Sequence, residues 1–421
     1  MNNNLFSFIV GADEYFFDGD SLNISKNSKN CYQPSQLSVN SSKNYLRNIA
    51  LNVTNNCNLK CKYCYANFGN YREPGMEMKL DVAQMAVDIL YKSVDVNNAE
   101  RMCIGFFGGE PLLAFDFICN VVEYVRKINH KGILCKYAIT TNATLLNQQI
   151  SEFLVDNHFF TTVSLDGNKE SNDENRVFGN NNGSYDVVVK NISNLIGRLP
   201  LYVRMTISNN NIDFEKSVSS ILNLKIDRIL YALDYDITDN KFAEFISNLD
   251  IFFEKYRYDI VHKKYYDISN FTSVIAQLVL KKKKISHCMS GKSYYSISAN
   301  GKIYKCPRFT DEDEYLVGGI ESVKINDFSE FNKNLLKNFE IESGITIMNC
   351  KSCVFYYLCG GLCYHHVYKR QGKDNSLRNE CFHRKKIFSN ILKLICSLSE
   401  HERKNYIQFL LNNWNNSLLI V

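Results

Sequence analysis

From about residue 47 the chain alternates between short apolar runs and longer segments in which apolar residues recur every three or four positions. The short runs are rich in β-branched and aromatic residues, which predicts buried strands. In chain order they read NIALNV, CIGFF, CKYAITT, FTTVSL, LYVRMTI and RILYAL. The segments between them have the helical period, as in Val82, Met85, Ala86, Ile89 and Leu90. Six strands, each followed by a helix, predict a parallel sheet, because parallel neighbours need crossover connections.

This pattern predicts an α/β core over residues 47–256. The periodicity alone fits either an open doubly wound sheet or an incomplete barrel. The remaining units are predicted to be an N-terminal arm with a hairpin at most, a bridging segment, a cysteine-rich domain and a helical tail: residues 1–46, 257–287, 288–383 and 384–421.

The overall composition is ordinary, with 45% hydrophobic and 22% charged residues. The 49 basic and 44 acidic residues give a net charge of +5, which is too mild to predict binding to nucleic acid. No run approaches the roughly 18 apolar residues of a membrane helix, and the start lacks a basic leader and a cleavage site. We therefore expect a cytoplasmic protein with no nucleic-acid or membrane partner. In that reducing compartment its 15 cysteines favour metal or redox chemistry over disulfides.

Three cysteines directly follow the first predicted strand, in NNCNLKCKYCYANFG. Cys57, Cys61 and Cys64 have the spacing C-x3-C-x2-C and are expected at the carboxyl end of the sheet, where α/β folds bind ligands. Three thiolates can hold three irons of a 4Fe–4S cluster and leave the fourth iron open. The alternatives are a zinc site with a remote fourth ligand and three unrelated buried cysteines.

This spacing, with Tyr63 just before the last cysteine, resembles the signature of radical S-adenosylmethionine (SAM) enzymes. The resemblance extends through the six β/α units and implies a partial (β/α)6 barrel, similar to part of a TIM barrel. It also implies that SAM binds the open iron through its amino and carboxylate groups. One electron, from an external donor of the flavodoxin or ferredoxin type, then cleaves SAM to a 5′-deoxyadenosyl radical that abstracts a hydrogen atom from the substrate.

The motif FFGGEP after the second predicted strand matches the same family. Gly108 and Gly109 permit a close backbone approach, and Glu110 can accept a hydrogen bond from an ammonium group. In the family this motif contacts the methionine amino group of SAM. Taken alone, it could equally be a strand-to-helix turn with Pro111 at the first helical position.

Polar residues at later strand ends extend the resemblance. Asn142 ends the third predicted strand, and Ser164 and Asp166 end the fourth. The resemblance implies that these side chains, with Tyr63, bind the cofactor and reach the ribose of SAM. Arg176 resembles the arginine that meets the SAM carboxylate. Each residue taken singly could instead serve a turn.

Residues 288–383 carry seven cysteines, which could form a pair of zinc knuckles because CxxC pairs are common zinc ligands. Their order also resembles the SPASM extension of radical SAM enzymes, which holds two auxiliary 4Fe–4S clusters. The resemblance therefore implies three clusters in all. It implies two auxiliary ligand sets: Cys350, Cys353, Cys359 and Cys381 in one, and Cys288, Cys306 and Cys363 in the other.

The second set lacks a fourth cysteine. Some relatives have one about six residues before the first cysteine of the set, where this chain has Lys282. An open iron there would bind a substrate cysteine thiolate and accept the surplus electron of thioether formation. A water, His287 or a remote protein ligand is the alternative.

The residue after Cys306 separates two possible functions. Anaerobic sulfatase maturases resemble the chain overall, but typically have an aspartate at this position, where the chain has Pro307. The run CPRF…GG resembles extensions of enzymes that modify ribosomally made peptides, such as ranthipeptide and sactipeptide maturases. We therefore predict an oxidoreductase that forms a thioether or C–C crosslink in a peptide or protein substrate. The alternatives are formylglycine formation, as in sulfatase maturation, and a non-catalytic iron–sulfur or zinc scaffold.

Overall fold

The predicted strands form the centre of one large sheet. The computed structural model describes residues 4–31, 45–323, 349–370 and 375–415. In these ranges the strands are β1 (Leu5–Val10), β2 (Asp13–Asp18), β3 (Asn23–Ser25), β4 (Asn48–Thr54), β5 (Arg101–Gly108), β6 (Leu134–Thr141), β7 (Phe160–Ser164), β8 (Leu201–Ile207), β9 (Arg228–Leu233), β10 (Asp267–Ile268), β11 (Tyr294–Ile297), β12 (Lys302–Tyr304) and β13 (Leu316–Gly319). The helices are α1 (Ser28–Cys31), α2 (Leu80–Val96), α3 (Phe115–Ile128), α4 (Gln148–Asp156), α5 (Lys169–Asn175), α6 (Tyr185–Ile192), α7 (Phe214–Asn223), α8 (Asp239–Val261), α9 (Ser269–Leu280), α10 (Tyr356–Cys359), α11 (Tyr364–Arg370), α12 (Ser376–Ser397) and α13 (Glu400–Asn415).

The large sheet has ten strands in the order β10-β9-β8-β7-β6-β5-β4-β11-β12-β13. Every neighbouring pair from β10 to β11 is parallel, whereas β12 and β13 are added antiparallel. From β4 to β9 each crossover places the next strand beside the previous one. The α/β fold class with a (β/α)6 core is therefore confirmed, and the carboxyl ends of β4 to β9 share one edge of the sheet.

Side-chain caps fix where two core helices begin. The Asn147 side chain accepts a hydrogen bond from the backbone N–H of Ile150 at 2.9 Å, which caps α4. Asp213 likewise accepts from the N–H of Lys216 at 2.9 Å and caps α7. These bonds satisfy amide groups that have no partner within the helix. The two caps therefore fix the residue at which each helix begins.

The range predicted as a bridging segment contains regular structure. Strand β10 pairs in parallel with β9, and α9 follows it directly and buries Phe271. The bridging segment therefore contains a strand and a helix that the sequence pattern did not predict. A strand of only two residues leaves no alternation in the sequence, so its tertiary pairing, and not a local pattern, defines it.

The N-terminal arm was expected to form a hairpin at most, and this was wrong. Strands β1, β2 and β3 form a three-stranded antiparallel sheet. The rings of Phe6 and Phe17 lie 5.0 and 5.9 Å from the ring of Phe355, between centroids. The arm thus packs on the cysteine-rich segment near α10. Its third strand was missed because the sequence NIS has no apolar alternation.

The helices of the core pack through an aromatic cluster. Phe214 is fully buried, and its ring lies 4.8 Å from the rings of both Tyr231 and Phe252. Phe245 and Phe271 complete this group, which joins α7, α8 and α9 to strand β9.

Within the described ranges, the structure has no helix that is both long and apolar enough to cross a bilayer.

Candidate functional site

A cavity of about 200 Å³ lies at the carboxyl ends of the parallel strands. The structure brings nearly all of the residues predicted around the three-cysteine loop to its wall. These are Cys57, Cys61, Tyr63, Cys64, Gly108, Gly109, Glu110, Asn142, Ser164 and Arg176. The grouping follows from the topology, because loops after neighbouring parallel strands meet at the same edge.

The three-cysteine loop is held against the end of α5 and the residues that follow it. The backbone N–H groups of Lys60 and Lys62 donate to the carbonyls of Val177 and Asn175 at 2.7 and 3.0 Å. These two bonds flank the second cysteine of the loop. Because Arg176 lies between the two acceptors, the loop and this arginine are positioned together.

Glycines let the loop approach the end of β5. A Cβ atom on Gly109 would lie 2.2 Å from the carbonyl oxygen of Asn56, and one on Gly108 would lie 2.4 Å from that of Thr54. The N–H of Gly109 donates to the Thr54 carbonyl at 2.9 Å, and that of Glu110 donates to the Asn56 carbonyl at 2.8 Å. The predicted close approach is therefore made to the residues just before Cys57.

Glu110 is 1% exposed and ties the ends of β5 and β6 together. Its carboxylate accepts hydrogen bonds from the Thr141 hydroxyl at 2.6 Å and from the backbone N–H groups of Asn142 and Leu112 at 2.7 and 3.0 Å. Burial nevertheless raises the pKa of Glu110 to about 7, because it disfavours the charged form. One oxygen accepts a single bond, so the carboxylate keeps room for a further donor.

Asp166 is fully buried and does not line the cavity. It accepts hydrogen bonds from the backbone N–H of Thr206 at 2.8 Å, from the hydroxyl of Tyr63 and from Nη2 of Arg176 at 3.2 Å. The Nε of Arg176 is 3.1 Å from the other Asp166 oxygen, as an ion pair without hydrogen-bond alignment. The carboxylate thus holds the tyrosine of the loop and the arginine in place. Its predicted contact with SAM stays a prediction.

Nitrogen donors face two of the loop thiols. Nδ2 of Asn142 is 3.9 Å from Sγ of Cys57, and Nη1 of Arg176 is 3.9 Å from Sγ of Cys61. Burial raises the pKa of Cys57 to about 12 and that of Cys61 to about 11, so both are neutral thiols in the bare protein. Coordination to a metal deprotonates a thiol outright. Three neighbouring thiols, two of them with nitrogen donors facing their sulfur atoms, are a donor set that fits an iron–sulfur cluster.

The seven cysteines of the C-terminal region fall into two neighbourhoods in which the thiols act on one another electrostatically. One contains Cys288, Cys306 and Cys363. The other contains Cys350, Cys353, Cys359 and Cys381. These are the sets that the family resemblance implies, and their roles as ligands stay predictions. In the part of the chain that the structure describes, no three Cys, His, Asp or Glu side chains are placed to hold a single metal ion.

His287 was one alternative for the fourth ligand of the first of these sets. Arg384 Nη1 lies 3.2 Å from Nδ1 of His287, and an arginine can only donate. Burial and the nearby Arg384 hold the pKa of His287 well below its usual range, so the ring is neutral. Its proton is therefore on Nε2, and neither nitrogen has a free lone pair in this arrangement.

Sequence reasoning missed part of the cavity wall. Arg204 on β8 and Tyr235 just after β9 line it, together with Tyr65 and Arg308 from two loops. The guanidinium of Arg308 lies 5.3 Å from the ring centres of both tyrosines and donates to the Tyr235 hydroxyl. A signal for Arg204 was present, because it is the one charged residue in the run LYVRMTI. Arg308 belongs to the run CPRF, which indicated a family likeness but no site role, and no motif pointed to Tyr235.

Comparison with known proteins defines the family. The sequence profile of the radical SAM superfamily matches residues 51–221. The chain is 32% identical over 335 residues to the cysteine-type anaerobic sulfatase-maturating enzyme of Clostridium novyi (strain NT), across 74% of this chain and 86% of that enzyme. The chain belongs to the radical SAM superfamily. It is therefore an enzyme, as predicted, of a superfamily that uses a 4Fe–4S cluster and SAM.

Two solved structures share the fold. Native anSMEcpe with bound AdoMet and Cp18Cys peptide superposes with a TM-score of 0.66 at 20% identity, over 88% of this chain and 99% of that one. Streptococcus suis SuiB bound to precursor peptide SuiA superposes with a TM-score of 0.53 at 16% identity, over 89% of this chain and 99% of that one. The chain thus shares its fold with both of these proteins.

Proposed function

We propose that this enzyme removes a hydrogen atom from a peptide and forms a thioether or carbon–carbon crosslink in it. The observation that carries the proposal is the placing of two loops at one cavity. Cys61 of the three-cysteine loop and Arg308, two residues after Cys306, both line it. A substrate side chain in this space would lie between the two predicted cluster regions.

Cys57, Cys61 and Cys64 would hold the SAM-binding cluster, and Glu110, Asn142, Ser164 and Arg176 would surround SAM. When bound, the cluster and SAM supply the one-electron chemistry that removes a hydrogen atom from carbon. In the proposal, the chain's own residues position these groups and exclude water. The buried Asp166 fixes Tyr63 and Arg176, so that the loop and the arginine keep one geometry.

The cavity wall also suits a reaction on a peptide side chain. Tyr65 of the three-cysteine loop, Tyr235 and Arg308 form a packed aromatic and cationic part of the wall. Such a wall shields a reactive carbon from solvent, which prevents side reactions of radical species. The peptides in the anSMEcpe and SuiB structures support a peptide as the substrate class.

A second candidate is oxidation of a cysteine or serine side chain to formylglycine. The Clostridium novyi relative, a sulfatase-maturating enzyme, favours it. Against it stands Pro307, which opens a single 3-10 turn and has no proton-accepting group, where sulfatase maturases typically have aspartate. A sulfatase maturase without that group would need another proton acceptor.

One experiment separates the two candidates. The protein is reconstituted with iron and sulfide without oxygen and given SAM, a reductant and a library of random peptides around one central cysteine. Crosslinking removes two hydrogen atoms from the peptide; a thioether also blocks alkylation of the thiol, and a carbon–carbon bond leaves the thiol free. Formylglycine gives an aldehyde that reacts with a hydrazide.

The expected product is a peptide that has lost two hydrogen atoms and has no aldehyde. The Cys61→Ala variant, prepared in the same way, is the control and should give no product. Cleavage of SAM without any change in a peptide would contradict the proposal, and an aldehyde product would favour formylglycine formation.

A further inference from the structure

Two arginines line the cavity that have no role in the predicted cluster and SAM sites. Arg204 is in the middle of β8, and Arg308 is in the turn that follows Cys306. Both line the cavity beside the three-cysteine loop. They belong to distant parts of the sequence, and only the fold brings them together.

The guanidinium of Arg308 contacts two aromatic rings. It is held between Tyr65 and Tyr235, 5.3 Å from each ring centre, and donates one hydrogen bond to the Tyr235 hydroxyl. Tyr235 in turn stacks on His366, with ring centroids 3.9 Å apart. This packing fixes the plane of the guanidinium and leaves most of its five N–H donors for a ligand.

Arg204 is surrounded by positive charge. Burial and the nearby Arg308 lower its pKa, and Arg176 acts in the same direction. Tyr65 and Tyr235 oppose this effect and raise the pKa of Arg204. Among the described residues, no carboxylate forms an ion pair with Arg204 or Arg308. The groups that favour the charge of Arg308 are Tyr235, Tyr65 and the thiols of Cys363 and Cys306.

The carboxylates that are near are engaged elsewhere. Asp166 forms an ion pair with Arg176, and Glu110 already accepts three hydrogen bonds. Asp234 lines the cavity, but the charges that act on it come from Asp236 and Arg370. In the part of the chain that the structure describes, the cavity therefore has two arginines that pair with no carboxylate.

A pair of neighbouring, partly buried arginines without a carboxylate partner is costly to a folded protein, because each loses hydration and repels the other. A bound anion removes both costs. Guanidinium groups with fixed planes are suited to a carboxylate, which they can bind through two parallel hydrogen bonds. The SAM carboxylate is one possible anion, but Arg176 is the arginine that the family resemblance assigns to it.

We propose that Arg204 and Arg308 bind a carboxylate of the peptide substrate, the side chain of an aspartate or glutamate near the residue that is modified. This inference rests on the proposed peptide function and adds a substrate class to it. It predicts that the enzyme selects acidic sequences around the reactive side chain.

The test uses the reconstituted holoenzyme with SAM and the random peptide library around one central cysteine. Bound peptides and modified peptides are recovered separately and sequenced. For the wild-type enzyme, we expect aspartate or glutamate to be enriched at one fixed distance from the cysteine. For Arg204→Gln and Arg308→Gln, we expect this enrichment to fall about 10- to 100-fold, as expected for loss of hydrogen bonds to a charged group.

Two further variants keep the test interpretable. Arg204→Lys retains the charge and should retain part of the acidic preference. Arg198→Gln changes an arginine that pairs with Glu152 at 2.7 Å, outside this cavity, and should leave the preference unchanged. SAM affinity is measured for every variant by equilibrium dialysis, and should stay within about twofold of the wild-type value.

Three results would overturn the inference. These are modified peptides without acidic enrichment, enrichment that survives both glutamine substitutions, and loss of SAM affinity in those variants with an unchanged peptide preference. In each case the proposed function still stands, because peptides are modified. If no peptide is modified under any condition, it is the proposed function that fails.

Discussion

Substituting Gly109 by alanine tests whether the glycine motif positions the three-cysteine loop. The new Cβ atom would lie 2.2 Å from the Asn56 carbonyl oxygen and 3.0 Å from the backbone nitrogen of Cys57. Both obstacles are backbone atoms, which cannot rotate away as a side-chain tip can. Gly109 is not among the glycines with positive φ, so the effect is steric and not a matter of backbone strain.

The size of the effect follows from these contacts. Ordinary contacts begin at 3.4 Å, so the Asn56 carbonyl must move by about 1.2 Å. Overpacking at a rigid site costs about 1–3 kcal/mol. The two backbone hydrogen bonds of this turn add about 1 kcal/mol each if they are lost. The total is small enough for a protein with about 5–15 kcal/mol of stability to stay folded. Cys57 is joined directly to Asn56, however, and a shift of about 1.2 Å in the Asn56 carbonyl exceeds the roughly 0.5 Å that a preorganised site tolerates.

We therefore expect Gly109→Ala to fold but to lose the SAM-binding cluster. After reconstitution, about four of about twelve irons should be missing if three clusters are present, and SAM affinity should fall at least about tenfold. The matched control is Gly319→Ala, since a Cβ there meets nothing within 4 Å and φ is −92°. A Gly109→Ala protein with wild-type iron content and SAM affinity would refute the reasoning.

Three further predictions concern the hydrogen bond of Tyr63 to Asp166, the titration of Glu110 and the aromatic core around Phe214. Tyr63→Phe removes a hydroxyl donor to the buried Asp166 and should lower the free energy of unfolding by about 1–2 kcal/mol in urea titration; an unchanged midpoint would contradict this. Burial raises the pKa of Glu110 to about 7, so its carboxylate form increases as pH rises through that value. If Glu110 binds the SAM ammonium, affinity measured by dialysis should rise up to about tenfold per pH unit below pH 7 and then level off, and a flat profile would count against the contact. Phe214→Ala should cost about 3–5 kcal/mol in the same urea assay. Ile251→Ala, at a position 68% exposed, should change stability by no more than about 0.5 kcal/mol, and equal effects would contradict the assigned core.

The parallel core was predictable because burial on both faces makes its strands apolar along their length. Six runs identified β4 to β9, and the strand-end rule brought Asn142 and Ser164 to the cavity wall. The same runs did not show which side each residue faces. In β8, Val203 and Met205 are buried in the core, while Arg204 and Thr206 share the opposite face and line the cavity.

Elements without an apolar pattern were not predictable. Helix α5 has the sequence KESNDEN and begins where Asn168 accepts a hydrogen bond from the N–H of Ser171 at 3.1 Å. Its polar sequence gives no helical period, yet it places Arg176 beside the loop. Arg204 and Arg308 are about 100 residues apart in the sequence but line the same cavity. Their proximity likewise depends on tertiary structure that no local pattern encodes.

The most direct test of the account follows the hydrogen atom itself. A peptide that the reconstituted enzyme modifies is prepared with deuterium on all its carbon positions and incubated with unlabelled SAM and a reductant without oxygen. Because the proposed reaction moves a hydrogen atom from peptide carbon to the nucleoside, deuterium should appear in the 5′-deoxyadenosine that is recovered. Unlabelled 5′-deoxyadenosine, formed at the same rate with and without the peptide, would contradict the claim that this radical SAM enzyme acts on a peptide.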